Sequence, residues 1–374
     1  MKKCKISIVF IALCFLGMSG VGVIASELPR IDFSYAFGTP HRITLSRPSA
    51  SEKVLATIRP ERLELKWTWE NLQDKYPLSW TIMPMDIILD FYLHLDGEAL
   101  AFNSWKRTES GAPMLVASGN RNDAGFNLQA IAAAGGVIIK AEVFNRGQKP
   151  HVFQAFLTHN NGWVISNQGW IDDVHSDVLM TMNQGRADRL IALGKGADFY
   201  PIVRDGKATA GGVPMSNVAY GERSENSRKS MISVFDVPGG EAKTAYWYLP
   251  YDSYFEETAG LRAMDWETMM TAAKKEYDDL LSSGMEFIIP DREVIHCYKS
   301  CLADLFVMRE KMANGYTGVS PGTELYRSPN STEGALSCHA FDRLGYAAEA
   351  VSDMRVFFDG QDDSGCWAYS KGWE

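Results

Sequence analysis

The chain has 374 residues, of which 46% are apolar and 11% aromatic, so it can bury a large core and is not a disordered chain. Its formal net charge is −9, and no run of Lys or Arg follows the first five residues. This pattern disfavours a nucleic acid or an anionic membrane as a partner, and a neutral substrate is easier to accommodate.

The N-terminus has the pattern of an export signal. Lys2, Lys3 and Lys5 precede an apolar run over residues 6–16, and small residues up to Ala25 offer a cleavage site. We therefore expect a signal peptide over residues 1–25 and a mature chain that begins near Ser26. No stretch reaches the roughly 20 apolar residues of a membrane span. The sequence predicts an exported protein, periplasmic or extracellular, with no stable membrane span.

Residues 31–251 carry a repeat of period two, which is typical of strands with one buried face. Apolar residues alternate with polar ones at Leu63, Leu65, Trp67 and Trp69. Further strands are predicted over residues 190–193, 231–237 and 245–249, with Gly, Asn and Asp between them. Many short antiparallel strands predict a large β-sandwich, to which we assign residues 26–260.

One hairpin is predicted explicitly. Strand-like residues 137–144 and 152–157 flank Asn145, Arg146 and Gly147. In this interpretation Gly147 supplies the positive φ that a tight turn needs.

Helical spacing begins at Asp265, a predicted N-cap, and continues to Gly284. A second helix is predicted from a cap at Asp291 to Gly315, about six turns. The next begins at Asn330, where Glu333 would complete a capping box, and is stopped by Gly345. A last helix is predicted over residues 347–358, ending at Gly360. The predicted fold class is therefore multidomain, β followed by α.

Three stretches resemble the six-hairpin glycosidases, which include glucoamylases and α-L-rhamnosidases. They are Ala245-Tyr246-Trp247-Tyr248-Leu249-Pro250-Tyr251, then Phe287-Ile288-Ile289-Pro290-Asp291, and last Glu324-Leu325-Tyr326-Arg327 with Glu333-Gly334-Ala335, Phe341 and Leu344-Gly345. The resemblance implies an N-terminal β-supersandwich and a linker helix over residues 261–286. Residues 287–374 would then hold the first helical hairpins of an (α/α)6 toroid.

The resemblance also implies a glycoside hydrolase that inverts the anomeric centre with two carboxyl groups. Residues 266–374 are too few for the twelve helices of a closed barrel, at about 12 residues each with connectors of about 5. We therefore expect an N-terminal portion that lacks most catalytic residues and does not turn over by itself. Glu374 is a weak candidate for a catalytic carboxylate.

An oligo- or polysaccharide is the expected substrate, and Tyr326, Arg327, Glu333, Trp367 and Trp373 are the predicted contacts. Aromatic rings stack on the apolar faces of sugars. Glu333 stands where the resembling enzymes usually have Asp, which bears on its role. It either binds a sugar hydroxyl or only caps its helix.

Cysteine spacing and motif searches predict neither a metal nor a cofactor. Cys297 and Cys301 are one helical turn apart, like half of a metal site, but no matching pair follows. Together with Cys338 and Cys366 they are expected to be buried thiols. The sequence contains no phosphate-binding loop, no nucleophile elbow and no zinc-protease motif.

A second hypothesis is a non-catalytic glycan-binding or assembly protein. Its sandwich would be the working part, and its short helical tail would pack against that sandwich. In that case Met269, Met270, Leu305 and Phe306 would be covered within this chain.

Overall fold

The computed structural model describes residues 42–68, 88–159, 170–175, 178–182, 189–201, 209–210, 213–214, 230–251, 253, 255–311, 315–320, 322, 329, 331–359, 361 and 363–365. The described chain forms antiparallel strands up to Pro250, and from Thr258 onward it forms α-helices and one short two-stranded sheet. The predicted change from strands to helices is confirmed.

The strands of the N-terminal part are, in chain order, β1 (Arg42–Leu45), β2 (Lys53–Arg59), β3 (Arg62–Thr68), β4 (Ile88–Leu95), β5 (Glu98–Leu100), β6 (Ser104–Arg107), β7 (Leu115–Arg121), β8 (Ala124–Ala133), β9 (Gly136–Asn145), β10 (His151–His159), β11 (Trp170–His175), β12 (Val178–Met182), β13 (Arg189–Lys195), β14 (Asp198–Pro201), β15 (Thr209–Ala210), β16 (Val213–Pro214), β17 (Ser230–Val237) and β18 (Ala242–Pro250). The first sheet has the order β1-β2-β3-β4-β10-β17-β14, with β5 paired to β4. The second has the order β11-β12-β13-β18-β9-β8-β7-β6, and β15 pairs with β16 separately.

Alternation along the strands places one apolar core between the two sheets. In β3, Leu63 and Leu65 are fully buried, whereas Glu64 and Lys66 are half-exposed. Phe91 from the first sheet meets Trp247 from the second edge to face, with ring centroids 4.9 Å apart. The predicted antiparallel β-sandwich is confirmed, and so are the three short strands within β13, β17 and β18.

The predicted hairpin is wrong. Strand β9 pairs with β8 and β18 in the second sheet, whereas β10 pairs with β4 and β17 in the first. The Asn145 side chain holds this crossing: its Nδ2 donates to the carbonyls of Lys149 (2.7 Å) and Val237 (3.0 Å). Gly147 does not have a positive φ; a Cβ there would lie 2.0 Å from a carboxylate oxygen of Asp123. Close approach therefore explains the glycine.

In the described part of the chain, five α-helices follow the sandwich: α1 (Thr258–Ala263), α2 (Trp266–Ser283), α3 (Arg292–Met308), α4 (Ser331–Arg343) and α5 (Ala347–Phe358). The Asp265 side chain accepts from the Thr268 amide at 3.2 Å and caps α2. Asp291 accepts from the Glu293 amide at 2.9 Å and caps α3. Both predicted N-caps are confirmed, because a carboxylate satisfies amides that the first turn leaves unpaired. Asn330, the predicted cap of α4, lies outside the described residues.

The second helix is shorter than predicted. Helix α3 ends at Met308, and the chain continues as β19 (Arg309–Lys311), which pairs with β20 (Thr317–Val319). Apolar periodicity could not show this end, because tertiary ion pairs of Arg309 and Glu310 hold the backbone extended. Met312, which the prediction placed in the helix, lies outside the described residues.

Helix α2 covers the outer face of the second sheet and gives the molecule a third layer. Trp266 and Met270 pack with Ile138, Leu193 and Tyr248, which point away from the sandwich core. This explains why β8 and β9 are apolar on both faces along much of their length. Exposed polar contacts frame the layer, with Glu267 accepting from Lys140 Nζ (2.8 Å) and from the Tyr246 hydroxyl (2.8 Å).

A separate core joins the helices to one another. Phe306 of α3 meets Phe341 of α4 at a centroid distance of 4.9 Å and Tyr346 at 5.0 Å. Tyr277 and Leu281 bring α2 into the same cluster. Among the described helices, none is long and apolar enough to cross a membrane. Domain boundaries at residues 260 and 286 stay a prediction.

The thiols are only partly as predicted. Cys338 is buried in the helical core, Cys297 is half-buried and Cys301 is exposed. The expectation of a buried thiol is therefore wrong for Cys301, which lies on the solvent side of α3. Cys366 lies outside the described residues.

Candidate functional site

Most of the predicted sugar-binding residues lie where the structure is not described. Tyr326, Arg327, Trp367 and Trp373 belong to this group, and so does the candidate catalytic residue Glu374. Glu333 is described, and it lies in the first turn of α4 with an exposed side chain. Its carbonyl accepts a hydrogen bond from the Ser337 hydroxyl at 2.9 Å. The structure therefore does not bring the predicted residues together within its described part.

The end of α3, the start of α4 and the end of α5 lie at one end of the helical part. A Cβ at Gly334, near the start of α4, would lie 2.5 Å from the ring of Phe357, near the end of α5. The short strand β20 contacts both helices. Glu333 therefore lies on a rim with Tyr316 and Asp359, and we call this end, from β19 to Asp359, the helical rim.

A phenol and a carboxylate interact at the helical rim. The Tyr316 hydroxyl hydrogen-bonds to the Asp359 carboxylate, and this bond raises the pKa of Tyr316. Asp359 follows directly after α5 and is exposed. The nearby carboxylate of Asp363 is also exposed. These groups could contact a polar ligand in water, but in the described part none is buried as a catalytic acid usually is.

A buried ion pair supports the rim from beneath. The Asp353 carboxylate, fully buried in α5, accepts two hydrogen bonds from Arg309 Nε (2.9 and 3.1 Å) and one from Arg309 Nη2 (2.9 Å). Burial raises the pKa of Asp353, and the charge of Arg309 opposes that rise. Arg309 also lies 5.6 Å from the ring centre of Phe341. The pair fixes β19 against α5.

The loop between β1 and β2 joins the sandwich to the same region. Arg309 Nη1 donates to the Ser49 hydroxyl at 2.9 Å, and the Ser49 amide donates to the Phe306 carbonyl at 3.0 Å. Tyr277 donates its hydroxyl to the carbonyl of Ser46 at 2.8 Å, and burial raises the pKa of Tyr277 well above its ordinary value. Buried Lys53 lies 2.6 Å from Glu310. Sandwich and rim are therefore held together by charged and neutral hydrogen bonds.

A second sandwich loop, between β6 and β7, holds the middle of α3. The buried Arg107 guanidinium donates to Asp304 Oδ1 at 2.8 Å and to the Ala112 carbonyl at 3.2 Å. His296 Nε2 lies 3.0 Å from the carbonyl of Thr108, and burial lowers the pKa of His296. Helix α3 is therefore fixed to the sandwich at two places along its length.

The sequence interpretation did not find Arg309, Asp353, Lys53 and Glu310. A signal was present: Asp353 interrupts an apolar face of α5 formed by Ala350, Met354 and Phe357. Charges at such positions are usually paired, because an unpaired buried charge is costly. Sequence alone gave no way to pair residues 44 positions apart.

The described residues contain no group of three or more His, Cys, Asp and Glu side chains that could hold a metal ion. The arrangement consists of a large antiparallel sandwich, a helix laid on its second sheet, and helical hairpins docked through ion pairs. The predicted fold class, β strands followed by α-helices, is confirmed.

Comparison with solved structures found chains that are similar in fold. A bacterial glucoamylase in complex with acarbose matches over 88% of this chain and 52% of its own, at a TM-score of 0.52 and 10% identity. A protein named as a kojibiose phosphorylase, from the human microbiome, matches over 81% of this chain and 43% of its own (TM-score 0.46, 6% identity). An α-mannosidase of Bacteroides thetaiotaomicron matches over 75% and 42% (TM-score 0.27, 9% identity).

The sequence matches no protein-family profile and no curated protein. The chain spans about half of the glucoamylase that it resembles, 52% of that chain. At 10% identity the likeness shows the fold alone.

Proposed function

We propose that the chain belongs to an exported carbohydrate-active enzyme that hydrolyses a glycosidic bond with inversion. The observation that carries the proposal is the shared fold with the glucoamylase over 88% of this chain. Fold alone does not fix an activity. The predicted aromatic and charged contacts would add chemistry that suits a neutral glycan.

Inversion needs one carboxylic acid that protonates the leaving oxygen and one carboxylate that activates water, about 6.5–9.5 Å apart. We assign sugar contacts to Tyr326, Arg327, Glu333, Trp367 and Trp373, and we keep Glu374 as the candidate carboxylate. Glu333 is the one whose place supports a role, because it lies on the helical rim and faces solvent.

The two roles considered for Glu333 can be separated by substitution. Gln serves in a capping box as Glu does, so Glu333→Gln keeps capping and removes the charge. If Glu333 binds sugar, E333Q should weaken glycan binding about tenfold with an unchanged melting temperature, since a hydrogen bond to a charged group contributes about 1.5–3 kcal/mol. Asp342→Asn, exposed near the other end of α4, is the matched control. Equal binding by E333Q and wild type would leave capping as its role.

Turnover is tested by incubating the chain with a panel of α- and β-linked oligosaccharides and following the anomeric protons by NMR. The first product of an inverting enzyme has the opposite anomeric configuration to the substrate. Retention of configuration would contradict the inverting mechanism. If the chain neither binds nor hydrolyses any oligosaccharide of the panel, that result would contradict a carbohydrate function.

The glycan-binding or assembly protein stays a second candidate, because a specific observation favours it. Met270 and Phe306 are buried within the chain, and Met269 and Leu305 are half-buried against the same cores. Other large apolar side chains on α4 and α5 are exposed, namely Leu336, Val351 and Phe358. Glycan binding without hydrolysis, by a chain whose helices resist limited proteolysis together with the sandwich, would favour this candidate, whereas rapid digestion of the helices alone would favour the enzyme portion.

Export is a separate proposal, supported by the basic and apolar pattern of residues 1–25. Expression of the complete sequence with its first residues intact should yield a processed protein outside the cytoplasm. N-terminal sequencing of that protein should begin near Ser26. An unprocessed N-terminus in the cytoplasmic fraction would contradict export.

A further inference from the structure

Helix α3 carries two thiols that the proposed function does not use. Cys297 and Cys301 are separated by one turn; Cys297 is half-buried and Cys301 is exposed. Neither forms a disulfide. Neither belongs to the helical core, which Leu302 and Phe306 of the same helix help to fill. A ligand in solution can therefore reach this pair.

Helix geometry decides what the pair can bind. Residues four apart in a helix have Cβ atoms about 5–6 Å apart. A disulfide needs a Cβ separation of about 3.5–4.5 Å, so a direct S–S bond would distort the helix. The Asp291 cap and the core contacts of Phe306 hold α3 in place. One metal ion between the sulfurs, with two bonds of about 2.3 Å, spans the wider gap without distortion.

The surroundings of the pair favour a cation. A side-chain hydrogen bond between Cys297 and Cys301 shows that the two sulfurs lie next to each other. Asp304 also supplies negative charge nearby, although Arg107 binds one of its oxygens at 2.8 Å. A thiophilic cation can displace the thiol protons, since metal binding and deprotonation are coupled.

We propose that Cys297 and Cys301 form a two-thiolate site for one soft d10 cation, of which Cu⁺ is the representative. Two S–H bonds break, two protons leave and two metal–sulfur bonds form, with no change of oxidation state. Thiolates select soft cations, whereas Zn²⁺ prefers four ligands and Ca²⁺ prefers oxygen. In the described part of the chain, no third His, Cys, Asp or Glu side chain completes a larger set.

The test uses Cu⁺ held by bicinchoninate under argon and the full chain with C4S, C14S and C366S, so that the three thiols of the described part remain. We expect one equivalent of Cu⁺ to leave the chelator, and X-ray absorption to show two sulfur neighbours. C297S and C301S should each lose this uptake. C338S is the matched control, because Cys338 is buried elsewhere in the helical core and its loss should leave uptake unchanged.

Circular dichroism confirms that each variant is folded, and C301A is a second variant at the exposed position. Unchanged uptake by C297S or C301S would overturn the proposal. So would equal loss of uptake in C338S, or a third sulfur neighbour at the metal. A disulfide between Cys297 and Cys301 in the purified chain, detected by mass spectrometry, would also overturn it.

Discussion

At the scale of single residues, the buried pair of Arg309 and Asp353 dominates the helical rim. Asp353 is fully buried, and its carboxylate accepts from two nitrogens of one guanidinium. A bidentate arrangement gives direction as well as energy, so the pair sets where β19 leaves α3. Without this ion pair, nothing in the apolar pattern of α3 would end the helix at Met308.

Asp353→Ala should destabilise the protein by about 3–5 kcal/mol, because it leaves the Arg309 charge buried without its carboxylate. The measurement is the urea unfolding midpoint. Asp279→Ala is the control: it breaks an exposed pair with Lys275 on α2 and should cost about 0.5 kcal/mol or less.

The double variant R309M/D353L distinguishes the cost of an unpaired buried charge from the cost of a cavity. Replacing both charges by apolar groups should restore much of the stability that Asp353→Ala loses. Equal instability of the single and double variants would show that cavity formation, not the unpaired charge, accounts for the loss.

A buried imidazole, His94, and a half-buried one, His296, predict a loss of stability in mild acid. Burial lowers the pKa of both His94 and His296. The unfolded chain binds its protons near the ordinary imidazole value of about 6.5, and the folded protein binds them only at lower pH. Between these values the unfolded state holds more protons, so stability falls as the pH drops below about 6.5.

His94→Gln and His296→Gln should each flatten this acid-side slope in a series of unfolding curves. His339→Gln is the control, because the His339 side chain is exposed on α4. A slope that neither substitution changes would mean that other groups cause the acid sensitivity.

At the scale of elements, helix α3 depends on a glycine in the neighbouring sandwich loop. Gly111 has φ +88°, and a Cβ there would lie 2.5 Å from Cβ of Lys299 and 2.8 Å from its backbone carbon. The backbone of the loop therefore lies directly against the helix. Any side chain at this position would push the two apart.

Gly111→Ala should lower the free energy of unfolding more than Gly97→Ala does. The difference between the two variants measures the steric clash with α3. Gly97 has φ +84° with nothing within 4 Å of a built Cβ, so it carries the left-handed penalty of about 1–2 kcal/mol alone. Overpacking against α3 should add about 1–3 kcal/mol at Gly111. Thermal unfolding of both variants provides the measurement, and equal losses would argue against close contact.

The elements also show how far sequence patterns reach. The starts of α2 and α3 could be predicted because Asp265 and Asp291 act locally, on amides two or three residues away. The strands that pair with β9 and with β10 could not be predicted, because both β9 and β10 bury one face in the same core. An alternation of period two indicates that one face of a strand is buried, but it does not indicate which strand lies beside it.

At the scale of the whole molecule, the sandwich and the helices are joined by two loops of the first part. Arg107 links the second loop to α3 through Asp304. The side chain of Arg107 is buried, with 5% of its surface exposed, whereas the Asp304 side chain is 52% exposed, so only the guanidinium is shielded from water. We therefore expect the helices to resist digestion as long as the contact is intact.

Arg107→Met should weaken docking by about 1.5 kcal/mol, the lower end of the usual contribution of a charged hydrogen bond, because Asp304 is half-exposed. Cleavage of the helical part by thermolysin should then rise roughly tenfold, because it follows the population of the open state. Lys106→Met is the control, since Lys106 pairs with Glu109 on the exposed side of the same strand end. Equal protection of R107M and wild type would show that apolar contacts alone hold the helices.

The sequence by itself determined the order of elements and the class of fold, because periodicity, caps and turns depend on neighbours along the chain. The role of Glu333, which lies in the first turn of α4, stays a prediction. Only the tertiary structure decided the sheet to which β10 belongs, the end of α3 and the pairing of Arg309 with Asp353. These depend on contacts between residues far apart in the chain, whose partners no local pattern specifies.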